Sequence, residues 1–351
     1  MDIKKLLQLV VDKQASDLHV VVGVAPHIRI DGKLIPVEGE AIITKEIAKD
    51  LIFPLLNPQQ KDLYLVNKEV DFSVQFGKQA RFRVNTYFEK GNMAAALRLI
   101  GEKIKSIEEL NLPKICNELA ELRQGFVLVT GPTGHGKSTT LAAIVNEINN
   151  KRADHIVTIE DPIEYIYVPN KSIVSQREMH GDTHSWTVAL KSVLREDPDV
   201  VLVGEMRDYE TIAAALTVAE TGHLVLATLH TNSAAQTIDR IVDVFPEHQQ
   251  AQIRVQLANV LSAVLAQRLI PTIGGGRTAA MEILTGTTAV KTSIREGKSH
   301  LINNVIQTSG ELGMQSLERD LARLVNAGKI EFKVAKEYCL MPQELTRLVK
   351  K

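Results

Sequence analysis

Cysteine is scarce in this chain: two residues among 351, Cys116 and Cys339, far apart in sequence. Two thiols cannot build a four-cysteine zinc site within one chain, and so distant a pair fits reduced thiols better than a disulfide scaffold. Aromatic residues make up only 4%, which leaves few rings to stack on unpaired bases. A basic surplus is missing too. Lysine plus arginine is 41 against 42 aspartate plus glutamate, a net charge of −1, whereas proteins that grip a nucleic-acid backbone are usually basic. Nucleic acid is therefore disfavoured as a partner. No apolar run reaches the roughly 18 residues that a membrane-spanning helix needs. The start, "MDIKKLLQLVVDK", has too short an apolar stretch and no small-residue cleavage site for a secretory signal. The expectation is a cytoplasmic protein with no transmembrane segment of its own.

What is present is enough apolar residue, 44% of 351, for sizeable cores, and a length that favours two domains. In the first hundred residues Ile3, Leu6, Leu7, Val10 and Val11 have the spacing of an amphipathic helix. "SDLHVVVG" and "HIRIDGKLIPV" read as strands, the second a hairpin across Asp31-Gly32. Helices are expected after Thr44 as N-cap and from Pro58, then three strands, "VDFSVQF", "ARFRVNTYF" and "MAAALRLI", separated by "GKQ" and "EKG". This α+β unit, residues 1–100, is followed by a charged linker over 101–113. From 126 onward, apolar strands ("FVLVT", "HIVTIE", "VVLVG", "HLVLATL") alternate with helices, as in an α/β sheet covered on both faces. After "RLIPTIGGGRTAAMEIL" the pattern is mostly helical, with helices expected over 286–307, 316–327 and 333–350.

"GPTGHGKSTT", residues 131–140, fits G-x-x-x-x-G-K-[ST] between an apolar strand and a helical pattern, the context that a phosphate-binding P-loop requires. A loop whose backbone N–H groups converge on phosphate oxygens takes up conformations that a Cβ would block, hence Gly131, Gly134 and Gly136. Pro132, Thr133, His135 and Thr139 complete the loop, with His135 read as a variable, solvent-exposed position. Lys137 supplies a point charge to the β- and γ-phosphates, and the Ser138 hydroxyl is a candidate Mg²⁺ ligand.

Two carboxylate clusters accompany the loop. "VVLVGEMRD" has the apolar strand and terminal Glu205 of a Walker B element, with Gly204 at the usual aspartate position, so Glu205 is the candidate that holds Mg²⁺ through water. The bland alternative is a strand-end carboxylate paired with Arg207. "TIEDPIEYI" offers Glu160, Asp161 and Glu164. Glu164 is best spaced to orient or deprotonate an attacking water, while Asp161 can fix the loop, and a capping turn alone would account for the cluster. In "TGHLVLATLHTN", His223 and His230 flank a buried strand; either packing or sensing of the γ-phosphate fits them. In "ARFRVN", Arg81 and Arg83 alternate with Phe82 and Val84 and share one polar strand face.

Taken in order, "ASDLHV", "RFRVN", "GPTGHGKSTT", "TIEDPIEY", "DPDVVLVGEMRD", "TGHLVLATLHTN" and "TIDRIVDVFP" resemble the PilT family of type IV pilus retraction ATPases, within the secretion-ATPase superfamily. The resemblance runs from about residue 2 to past 330. It implies an N-terminal PAS-like α+β domain, a RecA-like P-loop ATPase domain over 114–351 whose helical subregion begins near 286, ATP and Mg²⁺ as cofactors, and a homohexamer. It also implies a motor that acts on an inner-membrane pilus platform protein from the cytoplasmic face. The family's catalytic glutamate falls on Glu164, its Walker B glutamate on Glu205, its histidine-box residues on His223 and His230, and its trans-acting arginines on Arg83 and Arg98, with Arg81 a third. "AVKTSIREGK", 289–298, resembles the retraction-type motif AIRNLIREGK, keeping Ala289, Ile294, Arg295 and Glu296 and departing at Val290, Lys291, Thr292 and Ser293. The zinc insertion of assembly and type II secretion enzymes is not present in the sequence.

Overall fold

A computed structural model describes residues 1–30, 32–77, 80–100 and 104–349. Asp31 of the expected hairpin turn, most of the "GKQ" turn, Gly101–Lys103 of the expected linker and Lys350 lie outside the described residues. The chain forms two compact units: Met1–Lys103 with Pro162–Ile166, and Ile104–Asp161 with Tyr167–Lys351. Within the segment read as a linker, Ile107 is buried, and residues from Ile104 onward belong to the second unit.

The first unit runs α1 (Ile3–Asp12), β1 (Asp17–Val20), β2 (His27–Ile30), β3 (Lys33–Pro36), α2 (Lys45–Ile52), α3 (Pro58–Asn67), β4 (Glu69–Phe76), β5 (Ala80–Glu89) and β6 (Asn92–Ile100). Its six strands pair antiparallel in the order β3-β2-β1-β6-β5-β4. Helix starts follow local chemistry: the Thr44 hydroxyl accepts from the Ile47 N–H, and Asn57 with Gln60 forms a capping box before Pro58. Ile3, Leu6, Leu7 and Val10 of α1 join Leu18, Ile28, Phe82, Val84 and Leu97 in one core.

Strand alternation sends the charged residues of this sheet to its other face. Cross-strand register lines up Arg29, Asp17, Arg98, Arg83 and Ser73 across five strands. Arg98 Nε donates to Asp17 Oδ1 at 2.9 Å, and Arg29 Nε lies 3.5 Å from Asp17 Oδ2. Burial works to raise the Asp17 carboxyl, but hydrogen bonds from Ser16 and Arg98 and the Arg98 charge hold it below the usual carboxylate range. Arg83 is exposed and, among the described residues, makes no ion pair.

The second unit runs α4 (Ile115–Glu121), β7 (Gly125–Thr130), α5 (Lys137–Lys151), β8 (His155–Glu160), β9 (Ile173–Glu178), α6 (Trp186–Val193), β10 (Val200–Val203), α7 (Tyr209–Glu220), β11 (Leu224–Leu229), α8 (Ala234–Asp243), α9 (Glu247–Val260), β12 (Leu261–Pro271), β13 (Arg277–Thr285), α10 (Thr288–Arg295), α11 (Ile302–Thr308), α12 (Leu317–Asn326), α13 (Phe332–Tyr338) and α14 (Pro342–Leu348). Its sheet has the order β13-β12-β7-β11-β10-β8-β9. Strands β7 to β12 pair parallel, and β13 adds an antiparallel edge. β7, β10 and β11 are buried at every position, as continuous apolar strands covered on both faces must be.

The C-terminal helices are shorter than their periodicity suggests. The helix expected over 286–307 stops at Arg295, because Gly297 turns the chain at φ +69°. The one expected over 333–350 is split ahead of Pro342, which cannot continue a helix.

The row on the first unit's sheet predicts a difference between Arg98 and Arg83. Asp17→Ala removes the acceptor of Arg98 and is expected to cost about 1–2 kcal/mol, the lower figure allowing for the solvent exposure of Arg98. Arg83→Ala is expected to stay within about 0.5 kcal/mol of the parent. Urea midpoints of the full-length variants test this; equal losses would contradict the pairing.

Candidate active site at the strand ends

The P-loop follows β7 at a point where the neighbouring strand leaves room only for glycine. Gly131 has φ +143°, and a Cβ there would lie 2.3 Å from the carbonyl oxygen of Gln267 on β12. Gly134 and Gly136 sit in the left-handed region at φ +78° and +79°, open to glycine at little cost. Gly136 is also the N-cap of α5 and brings no side-chain cap, so the first-turn N–H groups of the helix are directed into the loop. Lys137 is buried, its ammonium donating to the Gly131 and Pro132 carbonyls at 2.9 and 3.1 Å. Ser138 and Thr139 are half-buried in the first turn of α5, and Thr133 is exposed at the tip.

His135 corrects the sequence reading. It is half-buried rather than a free surface residue: its Nδ1 accepts from the Leu269 N–H at 3.0 Å, and its carbonyl accepts from Gln267 Nε2 at 2.7 Å. Burial, followed by the charges of Arg268, Lys137 and Arg277, holds the ring's pKa below the usual histidine value.

Glu205 leaves the end of β10 and takes part in a chain of contacts that reaches the loop. Arg207 grips it bidentately, Nε to Oε1 and Nη2 to Oε2, both at 2.8 Å. His230 Nε2 lies 3.0 Å from Glu205 Oε1, and the other ring nitrogen of His230 is 3.4 Å from the Thr133 hydroxyl. Burial works to raise the Glu205 carboxyl, but Arg207, His230 and Lys137 together hold it below the usual range. The bland pairing with Arg207 and the placement beside the P-loop are thus both present.

Gly204 has a steric reason. A Cβ there would come within 3.2 Å of both the Glu160 α-carbon and the Ile159 carbonyl oxygen, so the usual aspartate would crowd β8.

The second unit therefore brings together Gly131–Thr139, Glu205 and His230. His223 is not among them. It lies before β11, where Leu224 pairs with Gly125, whereas the loop follows Thr130, which pairs with Leu229. Its Nδ1 contacts the Thr221 hydroxyl and the Val218 carbonyl instead. Glu160 is buried and accepts from Thr158 and Gln176, and Asp161 is exposed. Glu164 is exposed and, like Arg83 and Arg98, belongs to the first unit. Sequence reading missed Gln267, although a polar pair inside the apolar "LSAVLAQRLIP" was a signal.

The lowered pKa of His135 sets a pH dependence. A folded-state value below the unfolded one means that the neutral ring's contribution is complete above about pH 6.5 and is lost as pH falls through the folded value. The melting-temperature advantage of the parent over His135→Gln should therefore be constant above pH 7 and shrink on acidification toward pH 5. An advantage that grows with acid would show that the ring is charged in the folded protein.

The chain was compared with known proteins. Residues 1–305 match the family model for type II/IV secretion system proteins. The chain is 47% identical over 343 residues to the type IV pilus retraction ATPase PilT of Pseudomonas aeruginosa, covering 98% of this chain and 99% of that protein. It is 38% identical over 351 residues to the type IV pilus ATPase PilU of the same organism, covering 100% and 92%. Among solved structures, the pilus retraction motor PilT with bound ADP superposes with a TM-score of 0.93 at 42% identity, over 99% of each chain. The mixed α/β architecture is thus that of a PilT structure, and the chain belongs to the type II/IV secretion system family, among its type IV pilus retraction ATPases.

Proposed function

We propose that this ATPase works as a Mg²⁺-dependent homohexamer that retracts a type IV pilus by acting, from the cytoplasmic face of the inner membrane, on a membrane platform protein. The observation that carries the reading is the connected chain Thr133, His230, Glu205 and Arg207 beside Lys137 at the strand ends. The near-full-length identity to a retraction ATPase supports the pilus as the object of work. In this reading residues 1–100 form the PAS-like domain, 101–113 the hinge and 114–351 the RecA-like domain.

The residues fit both cofactors. Gly134 has open space where a Cβ would sit, Lys137 directs its ammonium at the loop, and α5 offers uncapped N–H groups, which suits a nucleotide's phosphates. Among the described residues there is no cluster of three metal-ligating side chains. That suits Mg²⁺, which takes few protein ligands and keeps waters and phosphates. Ser138 would ligate it directly and Glu205 through water; when bound, it neutralises charge that develops on the phosphates.

Lys137 exchanges its two carbonyl partners for phosphate oxygens. Glu164 orients the attacking water and takes its proton. Arg83 and Arg98 reach the nucleotide of a neighbouring subunit and stabilise charge on the transferred group. His230, bonded to both the loop tip and Glu205, carries the state of the γ-phosphate toward the subunit contact. Product release then relaxes the closure as a rigid-body movement.

Phosphate release by the purified chain tests the reading. Lys137→Ala should abolish turnover, and Glu164→Gln should keep ATP affinity while slowing hydrolysis. A Glu164→Gln protein that loses affinity but keeps its rate per bound nucleotide would refute that role. Deleting the gene and imaging pili tests retraction itself: pili that still retract would remove the chain from the main motor.

The arginines are tested by subunit mixing. Arg83→Ala alone should lower turnover on the order of 10³-fold or more. Mixing Lys137→Ala subunits, whose arginines are intact, with Arg83→Ala subunits should restore activity at interfaces that combine a sound P-loop with a sound arginine. Exchanging subunits that stay inactive would rule out action in trans.

A further inference from the structure

The P-loop is braced by the strand beside it. Gln267 on β12 is 2% exposed, and its amide spans two anchors on the loop and its helix. Nε2 donates to the His135 carbonyl at 2.7 Å, and Oε1 accepts from the Thr140 hydroxyl at 2.7 Å. The main chain of β12 closes on the same segment. The Gln267 carbonyl blocks any Cβ at Gly131, and the Leu269 N–H donates to His135 Nδ1. Gln267 Nε2 would also lie 3.0 Å from a Cβ on Gly136.

The surroundings on β12 do not call for an amide: Ala263, Val264, Leu265, Ala266 and Ile270 are all buried and apolar. A buried amide is costly unless both its ends are hydrogen-bonded, and both partners here flank the phosphate-contacting residues.

Resting on the ATPase reading above, we propose that Gln267 is a positioning residue of the nucleotide site, a latch that holds the P-loop in its phosphate-binding shape before the nucleotide arrives. Converging N–H dipoles repel one another, so the loop needs an external restraint. Pulling the His135 carbonyl toward β12 supplies one. The peptide plane is rigid and trans, so the Gly136 N–H points away from β12 and is left for a ligand. The Thr140 bond fixes the other arm to the first turns of α5. Preorganisation of this kind acts on affinity more than on the chemical step, since bound phosphates hold the loop themselves.

The test is Gln267→Met, which keeps the unbranched shape and removes both polar ends. ADP affinity, measured on the folded full-length protein, is expected to weaken on the order of tenfold, matching the loss of a buried hydrogen bond or more. KM for ATP should rise in parallel while kcat changes far less. A purely structural role would lower the melting temperature without nucleotide and leave ADP affinity unchanged; that result overturns the proposal. If Gln267→Met does not fold, Thr140→Val removes one anchor at constant volume and should weaken ADP binding several-fold, and parental affinity in that variant is equally fatal. A parent chain that fails to bind ADP would overturn the nucleotide reading itself, a failure distinct from that of the latch.

Discussion

Gly131 follows β7 with its α-carbon facing the Gln267 carbonyl so closely that no side chain fits between them. β7 and β12 are parallel neighbours, paired up to Thr130 and Ala266, and at Gly131 the chain leaves the strand and rises over its end. The left-handed turns at Gly134 and Gly136 follow, and α5 starts where they finish. Lys137, at the first position of that helix, is thereby carried back under the loop's own carbonyls. The close backbone approach thus requires glycine at 131, where the loop that leads to α5 and its Lys137 begins.

The net charge of −1 conceals a local organisation in which two partly buried carboxylates each face two basic side chains. Asp17 stands between Arg29 and Arg98, and Glu205 between Arg207 and His230. Both carboxyls are held ionised against their burial by these neighbours. Arg83, beside Arg98 in the same row, has no such carboxylate among the described residues. Two arginines that look alike in sequence therefore differ physically: Arg98 is paired with Asp17 within its own sheet, and Arg83 has no ion-pair partner among the described residues. A near-neutral total also means that any attraction for phosphate is built by local geometry rather than by a long-range field.

The family was legible because its motifs occur in order with strands and helices of the right kind between them, and strand alternation in "ARFRVN" put Arg83 opposite Phe82 as the register does. The neighbourhood of the P-loop was not legible. Which strand lies next to β7 depends on crossover topology, and β12 comes 130 or so residues later, so the bonds from Gln267 and Leu269 to His135 could not be read from local spacing. His135 was misjudged for that reason. The antiparallel pairing of β12 with β13 is not legible in "RLIPTIGGGRTAAMEIL" as a pattern, although its three glycines are the turn between the two strands. His223 and His230 look symmetric about one apolar run, yet a parallel strand has two unlike ends and only one adjoins the loop.

The position of the Glu205 carboxylate is tied to the same spacing of strand ends. At Gly204 the last residues of β8 crowd the chain, with the Glu160 α-carbon and the Ile159 carbonyl at the distance where a Cβ must push them aside. A side chain there would crowd β8, and the acidic residue stands instead at 205, where the chain has left the sheet. That segment is stitched to β11 on its other side: the Thr228 hydroxyl donates to the Gly204 carbonyl, and the Met206 N–H donates to the Thr228 carbonyl. Both bonds fix the loop two residues from His230, so the Glu205 carboxylate emerges within reach of the imidazole. A glycine before the acid, where a side chain would crowd β8, and a threonine on the adjoining strand thus bear on where the negative charge stands.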